Sequence, residues 1–258
     1  MKIIITGGAG FIGSALVKLL IHKGHKVINI DSLTYAGNLK NLNFFAKNKN
    51  YIFVKSNICN KTKMLEIFKK YNPDAIMHLA AETHVDNSIN KPNTFITTNI
   101  NGTYNLLETS RNFLHKKNKN FKFVHISTDE VYGSLGLKGK FTESSSYLPN
   151  SPYSASKASS DHLVRAWHET YNFPSIITHC SNNYGPRQFP EKLIPVIISR
   201  AINNKKIPIY GNGKNIRDWI HVEDHAEALY KILLKGKIGK VYNIGSENEI
   251  SNINLAKK

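Results

Sequence analysis

The sequence predicts an α/β fold: a doubly wound parallel sheet followed by a smaller C-terminal lobe. Three observations predict it. Apolar runs of strand length alternate with helix-period segments through the first 180 residues. A glycine cluster joins the first apolar run directly to the first amphipathic segment. An acidic residue stands at the end of the second run. No internal repeat or low-complexity linker interrupts the alternation, which is the pattern of strands joined by crossover helices.

In chain order, strands are predicted near residues 2–6, 26–30, 51–55, 74–79, 121–127 and 174–180, with helices between them. The first helix carries apolar residues at 11, 12, 15, 16, 19 and 20 and ends at Gly24. The longest helices are predicted near 93–116 and 152–171, the second opened by Ser151 as N-cap and Pro152 as first helical residue. After Tyr184-Gly185-Pro186 the pattern becomes irregular, with a helix near 191–203, a strand at 207–210, a helix near 223–235 and a strand at 240–244. Ser251-Asn252 resembles a helix cap close to the last residue, Lys258, so the final element is expected to be cut short.

Composition narrows the class. The 258 residues are 41% hydrophobic and 21% charged, enough to bury a large core and unlike a disordered chain. No apolar run reaches the ~18 residues of a membrane span, and the start, Met1 to Gly7, has no signal-peptide h-region. A soluble, cytoplasmic protein with no membrane partner is expected. Cys59 and Cys180 stand far apart without histidine clusters, which predicts reduced thiols, no disulfide and no metal site. The net charge of +17 raises the question of nucleic acid. The lysines are scattered in small groups (Lys69, Lys70; Lys116, Lys117, Lys119; Lys205, Lys206), without the basic stripe and interleaved aromatics of a nucleic-acid groove. They read as a solvated surface, and no nucleic-acid partner is expected, although an anionic small substrate would benefit from the field.

The chemistry begins at the glycine cluster. Gly7, Gly10 and Gly13 enclose Phe11 and Ile12 between the first strand and first helix, where backbone N–H groups can approach a pyrophosphate at a helix N-terminus. Glycines serving only helix–strand packing would look the same in isolation. Asp31, at the tip of the second strand, tips the reading towards a Rossmann-type dinucleotide site, because its carboxylate suits a ribose diol and repels a 2′-phosphate. The expected cofactor is NAD, with Ser32, Leu33 and Thr34 beside Asp31 in the same site. Residues 1–180 are assigned as the NAD-binding domain, with a return strand near 240–244, and 181–258 as a substrate-binding lobe.

Tyr153 and Lys157 lie four apart on one helix face. A free tyrosine, of pKa near 10, is a poor base at neutral pH unless a neighbouring cation stabilises its phenolate. The alternative is a surface tyrosine with a solvated lysine. The strand ending at Ser127 leads into Thr128-Asp129-Glu130, and both carboxylates can serve one substrate only if the backbone turns there, which Gly133 allows. Taken alone they could be two solvated loop acids, but ligands bind at the carboxyl ends of parallel strands.

The Gly-x-x-Gly-x-x-Gly spacing resembles the extended short-chain dehydrogenase/reductase family. Thr128-Asp129-Glu130, Tyr153 with Lys157, His84-Val85-Asp86, Ser181 to Pro186, Phe189 to Leu193 and Ile216 to Trp219 narrow the likeness to its dTDP-glucose 4,6-dehydratases. GDP-mannose dehydratases and UDP-glucuronate decarboxylases typically carry Ser-Glu in place of Asp129-Glu130. The resemblance implies NAD-dependent dehydration of a nucleotide-activated hexose, a lyase reaction, in a homodimer paired through the two long helices. It implies Tyr153 as base at the 4-hydroxyl, supported by Lys157, with Thr128 on the 4-oxygen, Asp129 as acid at the 6-hydroxyl and Glu130 as base at C5. It places Asn57 and Ile58 at the adenine, Leu79, Ala80 and Ala81 at the nicotinamide, and Thr98 and Asn183 on the cofactor side. It places Thr83 at the hexose, Asn182, Lys192, Arg217 and Asn252 at the diphosphate or its sugar, and Leu193, Pro208, Ile209 and Tyr210 at the nucleoside. An ion pair between Arg217 and Asp218 is the alternative for that arginine.

Asn57 stands where the family usually has Asp, and Arg187-Gln188 replace an aromatic and a histidine. Members usually run well beyond 300 residues, so a C-terminally incomplete substrate lobe, with weakened substrate affinity, is expected. A UDP-sugar epimerase or decarboxylase, or a non-catalytic NAD-binding relative, are the competing readings.

Overall fold

A computed structural model describes residues 1–117, 120–135, 139–209 and 211–258. Strand β1 (Lys2–Thr6) is built on Ile3, Ile4 and Ile5, none of which is exposed. Consecutive β-branched residues point to opposite faces, so a strand with no exposed face must be covered on both. Ile3 and Ile5 join one core with Leu16, Leu20 and Val222, and Ile4 joins the other with Met64, Phe68, Leu106 and Val164. The first core lies under α1 (Phe11–His22) and α8 (Val222–Lys235); the second under α2 (Lys61–Tyr71), α5 (Gly102–Lys117) and α6 (Pro152–Tyr171).

The sheet has seven strands, with β2 (Lys26–Asp31), β3 (Tyr51–Lys55), β4 (Ala75–His78), β5 (Lys122–Thr128), β6 (Ser175–Cys180) and β9 (Val241–Ile244), in the order β3-β2-β1-β4-β5-β6-β9. Every pairing in it is parallel. The chain works outwards from β1 to β3, then returns to β4 on the other side of β1. That reversal opens a crevice at the carboxyl ends of the strands. The doubly wound parallel sheet expected from the sequence is therefore the fold.

The long helix expected over 93–116 is a composite. It starts at α4 (Pro92–Phe95), after the short α3 (Val85–Asn90), passes through a π turn at Ile96–Asn101 and continues as α5. The π turn holds Asn99, whose amide accepts from Glu82 N–H and donates to Glu82 O and Ser156 Oγ, tying the loop after β4 to α6.

The remaining elements form a small three-stranded sheet, β10 (Glu249–Ser251), β8 (Ile216–His221) and β7 (Asn182–Tyr184), flanked in sequence by α7 (Leu193–Ile202) and α9 (Asn252–Lys257). β10 runs antiparallel to β8, and β7 runs parallel to it. The strand expected at 207–210 is not formed. Residues 207–209 have no regular structure and Tyr210 lies outside the described residues. Pro208 offers no N–H to a ladder, and Gly211 and Gly213 take positive φ, so the segment turns instead of extending. Of the strands that do form there, β7 and β10 are only three residues long and escape the periodicity, and β8 is given no strand by the sequence reading. Asp218 fixes the turn between β9 and β10 by accepting from Ser246 N–H and Oγ and from Asn248 N–H. Ser251 caps α9 by accepting from Asn254 N–H. No helix among the described residues is long and apolar enough to cross a membrane.

Candidate active site

The glycine loop is shaped by contacts no side chain would permit. A Cβ on Gly13 would meet Gly7 O at 2.2 Å and Gly8 Cα at 2.7 Å, and one on Gly7 would meet Ala80 Cα at 2.8 Å. Gly10 precedes α1 with no side-chain cap, so the orphan N–H groups of the first turn are left for a ligand. Asp31 braces the loop: Oδ2 accepts from Ala9 N–H at 2.9 Å and Oδ1 from Leu33 N–H at 2.8 Å. Each oxygen keeps a lone pair for a ribose hydroxyl.

One cavity of about 330 Å³ runs from this loop across the switch point. Its wall brings together Gly7, Gly10, Phe11, Ile12, Gly13, Asp31, Ser32, Thr34, Asn57, Ile58, Leu79, Ala80, Ala81 and Thr98 with Thr83, Thr128, Glu130, Tyr153, Lys157, Asn182, Asn183 and Lys192. The donors, apolar walls and elongated course fit a dinucleotide, which makes NAD a physically consistent occupant. Leu33, at φ +56°, turns off that wall. Asn57 Oδ1 already accepts from Cys59 N–H at 2.8 Å, and Asn183 Oδ1 pairs with His225 Nδ1 at 2.8 Å, so both have one acceptor position left. Leu193, Pro208, Ile209, Arg217 and Asn252 lie in the second lobe and do not form part of this wall.

The reactive groups converge at the end of β5. After Thr128 the backbone enters a 3₁₀ turn at Asp129–Tyr132, closed by Gly133 at φ +86°, where a Cβ would meet Leu148 O at 2.2 Å. This turn keeps both acids at one strand end. Thr128 Oγ donates to Asp129 Oδ1 at 3.3 Å and accepts from Glu130 N–H at 3.3 Å. Asp129, next to Glu130 on the same turn, is not among the residues of the wall. Burial, with Glu130 beside it, pushes its carboxyl up to about 6, while Thr128 and the Arg217 guanidinium pull the other way. Burial also raises Glu130, against the cations Arg217 and Lys192. The Arg217 charge is felt by both acids while its Nη1 donates to Ile216 O at 2.8 Å, and Asp218 is committed to the 246–248 turn and not to an ion pair with it.

Ser151 and Ser154 form a capping box that opens α6 and sets Tyr153 on its first turn. Burial holds the Tyr153 phenol well above its ordinary value, and Glu130, Cys180 and Asp129 add to the effect. Lys157 is buried too, its Nζ donating to Ile126 O at 2.9 Å; burial lowers its pKa and Asp161, one helical turn on, opposes the fall. Asp161 was not singled out from the sequence, although its spacing from Lys157 was a usable signal. It lies at the centre of a buried cluster: Oδ2 accepts from Ser127 Oγ and faces His179 Nε2, both at 3.0 Å. His125 Nε2 stands 3.1 Å from Oδ1 but off the hydrogen-bond line, a contact held by proximity and not by a linear bond. Glu82, Tyr35 and Arg187 also line the cavity and carry no sequence pattern that marks them. Among the described residues no group of acidic, histidine and cysteine side chains forms a metal site.

Residues 4–258 match the GDP-mannose 4,6 dehydratase family. The chain is 55% identical to the dTDP-glucose 4,6-dehydratase of Shigella flexneri over 269 aligned positions, which cover 99% of this chain and 74% of that protein. Its fold is similar to the NAD complex of the Bacillus anthracis dTDP-glucose 4,6-dehydratase, with a TM-score of 0.92 and 46% identity over 100% of this chain and 79% of that one. It is also similar to a Streptomyces venezuelae dTDP-glucose 4,6-dehydratase with NAD bound, with a TM-score of 0.94 and 42% identity over the same shares.

Proposed function

The chain belongs to the dTDP-glucose 4,6-dehydratases, within the wider GDP-mannose 4,6 dehydratase family, and from that premise we propose how its residues carry out the reaction. The activity is the NAD-dependent conversion of dTDP-glucose to dTDP-4-keto-6-deoxyglucose with loss of water. The observation that carries it is the pair Asp129-Glu130 held at one strand end, within the electrostatic reach of Tyr153 and Arg217.

Gly7, Gly10, Gly13 and Asp31 would hold the pyrophosphate and ribose of the dinucleotide, with Asn57 and Ile58 at the adenine and Leu79 to Ala81 at the nicotinamide. NAD held by these residues would supply the hydride acceptor for C4 of the sugar and the hydride donor for C6. Tyr153 takes the proton of the 4-hydroxyl, Lys157 supporting its phenolate, and Thr128 holds the 4-oxygen. The resulting ketone acidifies C5, so Glu130 removes the C5 proton while Asp129 protonates the departing 6-hydroxyl. Glu130 then returns its proton to C5. One acid must be protonated while its neighbour is not, and their shared burial and mutual repulsion support that division. Lys192, Arg217, Asn182 and Asn252 supply donors to the diphosphate, and Leu193 with 208–210 flanks the nucleoside.

The chain spans about three quarters of its curated relatives' length. Two further assignments belong to the same reading: residues 1–180 with the strand near 240–244 as the cofactor domain, 181–258 as the substrate lobe; and a cytoplasmic homodimer joined through α5 and α6. Sedimentation at micromolar concentration tests the dimer. Incubation with dTDP-glucose tests the activity: a 4-keto-6-deoxy product without net NADH supports it, and turnover of UDP-sugars alone refutes it.

A further inference from the structure

We propose that the Arg187 guanidinium clamps the diphosphate of the dinucleotide from the side opposite the glycine loop, which makes residues 185–192 a strap across the cofactor. This inference rests on the NAD reading of the site and adds to it a binding residue on the far side of the crevice.

The strap is anchored on both sides of the crevice. It leaves β7 at Gly185, and Gln188 Nε2 donates back to Asn183 O at 2.8 Å. Further along it lies against the cofactor domain. The Phe189 ring meets Tyr35 edge to face, with centroids 5.4 Å apart, Glu191 Oε1 stands 3.5 Å from His84 Nε2, and Lys192 Nζ donates to Thr83 O at 3.5 Å. Tyr35 belongs to the segment that follows Asp31 at the end of β2, and Asn183 comes just after β6. β1, with the glycine loop at its end, stands between those strands in the sheet. The stretch from Asn183 to Phe189 therefore crosses the crevice over the start of α1, where a dinucleotide places its diphosphate. Arg187, Gln188 and Phe189 all line the cavity there.

Three properties of Arg187 single it out within the strap. The first is strain. Gln188 N–H donates to Gly185 O at 3.3 Å, closing a turn with Pro186 and Arg187 at its centre, and Arg187 has φ +71°. That is the second central position of a type II turn, where glycine or asparagine fits and an arginine is strained. Strain of this kind persists where a site holds it. The second is an unmet donor: Arg187 Nε is buried without a hydrogen-bond partner, and Gln188 Oε1 beside it is too. Among the described residues no carboxylate forms an ion pair with Arg187. A buried donor left in that state costs free energy that a ligand acceptor removes. The third is charge. A dinucleotide's diphosphate carries two negative charges, and Gly7 to Ser14 include no lysine or arginine, so the loop answers them with backbone N–H groups alone. The cations of the cavity wall are Lys157, Arg187 and Lys192. Lys157 Nζ is turned to Ile126 O and Lys192 Nζ to Thr83 O, which leaves Arg187 as the uncommitted one. Its planar fork suits phosphate oxygens taken in pairs.

The test is calorimetric titration of the nucleotide-free protein with NAD, ADP and dTDP, for wild type, Arg187→Gly, Arg187→Asn and Arg187→Lys, beside thermal unfolding without ligand. Loss of charge-assisted hydrogen bonds to phosphate lowers affinity about tenfold or more, so Arg187→Gly and Arg187→Asn bind NAD and ADP that much more weakly and bind dTDP as wild type does. Arg187→Lys keeps the charge without the fork and falls between them. Glycine adopts φ +71° freely, so the unliganded Tm of Arg187→Gly stays within about 2 °C of wild type or rises. Arg187→Asn also tolerates that backbone and decides the matter should the glycine variant fail to fold. Neutral variants that keep wild-type affinity for NAD overturn the clamp. A loss confined to dTDP overturns it too, because the arginine then serves the substrate's diphosphate. Weaker NAD binding accompanied by a larger fall in unliganded Tm makes Arg187 a structural residue and has the same effect. If wild type itself takes up no NAD, the NAD reading of the site falls together with the clamp.

Discussion

Replacing Asp161 by Asn probes the least visible part of the site. Burial alone would raise the Asp161 carboxyl, but the His125 and His179 imidazoles against it more than offset this and hold it well below the ordinary carboxylate range. It is 1% exposed and is the carboxylate that opposes the desolvation of Lys157. The amide removes the charge and turns one acceptor into a donor facing an imidazole nitrogen. Lys157 is then a buried ammonium without its counter-charge. Breaking a buried ionic arrangement from one side costs about 3–5 kcal/mol. For a chain of this size each kcal/mol moves Tm by about 2–4 °C, so a fall on the order of 10 °C is expected. The assay is thermal unfolding at pH 7 followed by circular dichroism. The sign is fixed by the lowered pKa: this stabilisation is present above the unfolded carboxylate pKa of about 3.9 and is lost as pH falls through the folded value. The gap between wild type and variant therefore narrows in acid. A fall in Tm below about 2 °C, or a gap that does not change with pH, would refute the assignment of Asp161 as a buried counter-ion.

Three further outcomes are expected. Gly13→Ala drives a Cβ into Gly7 O and Gly8 Cα, both backbone, so the loop must open at a cost of about 1–3 kcal/mol; calorimetric titration with NAD should show at least a tenfold loss of affinity. Cys180, buried and with its thiol pushed up to about 12 mainly by desolvation, should resist a thiol-specific disulfide reagent at pH 8 in the native protein and react on unfolding; rapid native labelling at Cys180 would contradict its burial. Asp218 is a carboxyl whose hydrogen bonds from Asn248 and Ser246 outweigh burial and lower its pKa, so the turn it holds is stable above about 3.9 and loosens as pH drops below that. The amide resonances of Ser246 and Asn248 should shift together over that acid range and stay unchanged above it.

What the sequence determined by itself was whatever local chain chemistry fixes. Ile3-Ile4-Ile5 can be buried only in a strand covered on both faces, and the β-branched and apolar runs placed the first six strands of the large sheet to within a residue or two. The glycine loop, the Ser151-Pro152 helix start and the four-residue spacing of Tyr153 and Lys157 are equally local, because each is written in backbone freedom or helical period. The tertiary structure decided the rest. Short polar strands such as Asn182–Tyr184 exist only because β8 pairs with them, and Pro208 reads as extended until no partner comes to its side. Arg217 reaches the field of Asp129 from a strand far along the chain, and Asp161, His125 and His179 meet from three separate elements. Charge inside a fold is set by which groups share a low-dielectric space, and that depends on chain crossings that local pattern does not encode.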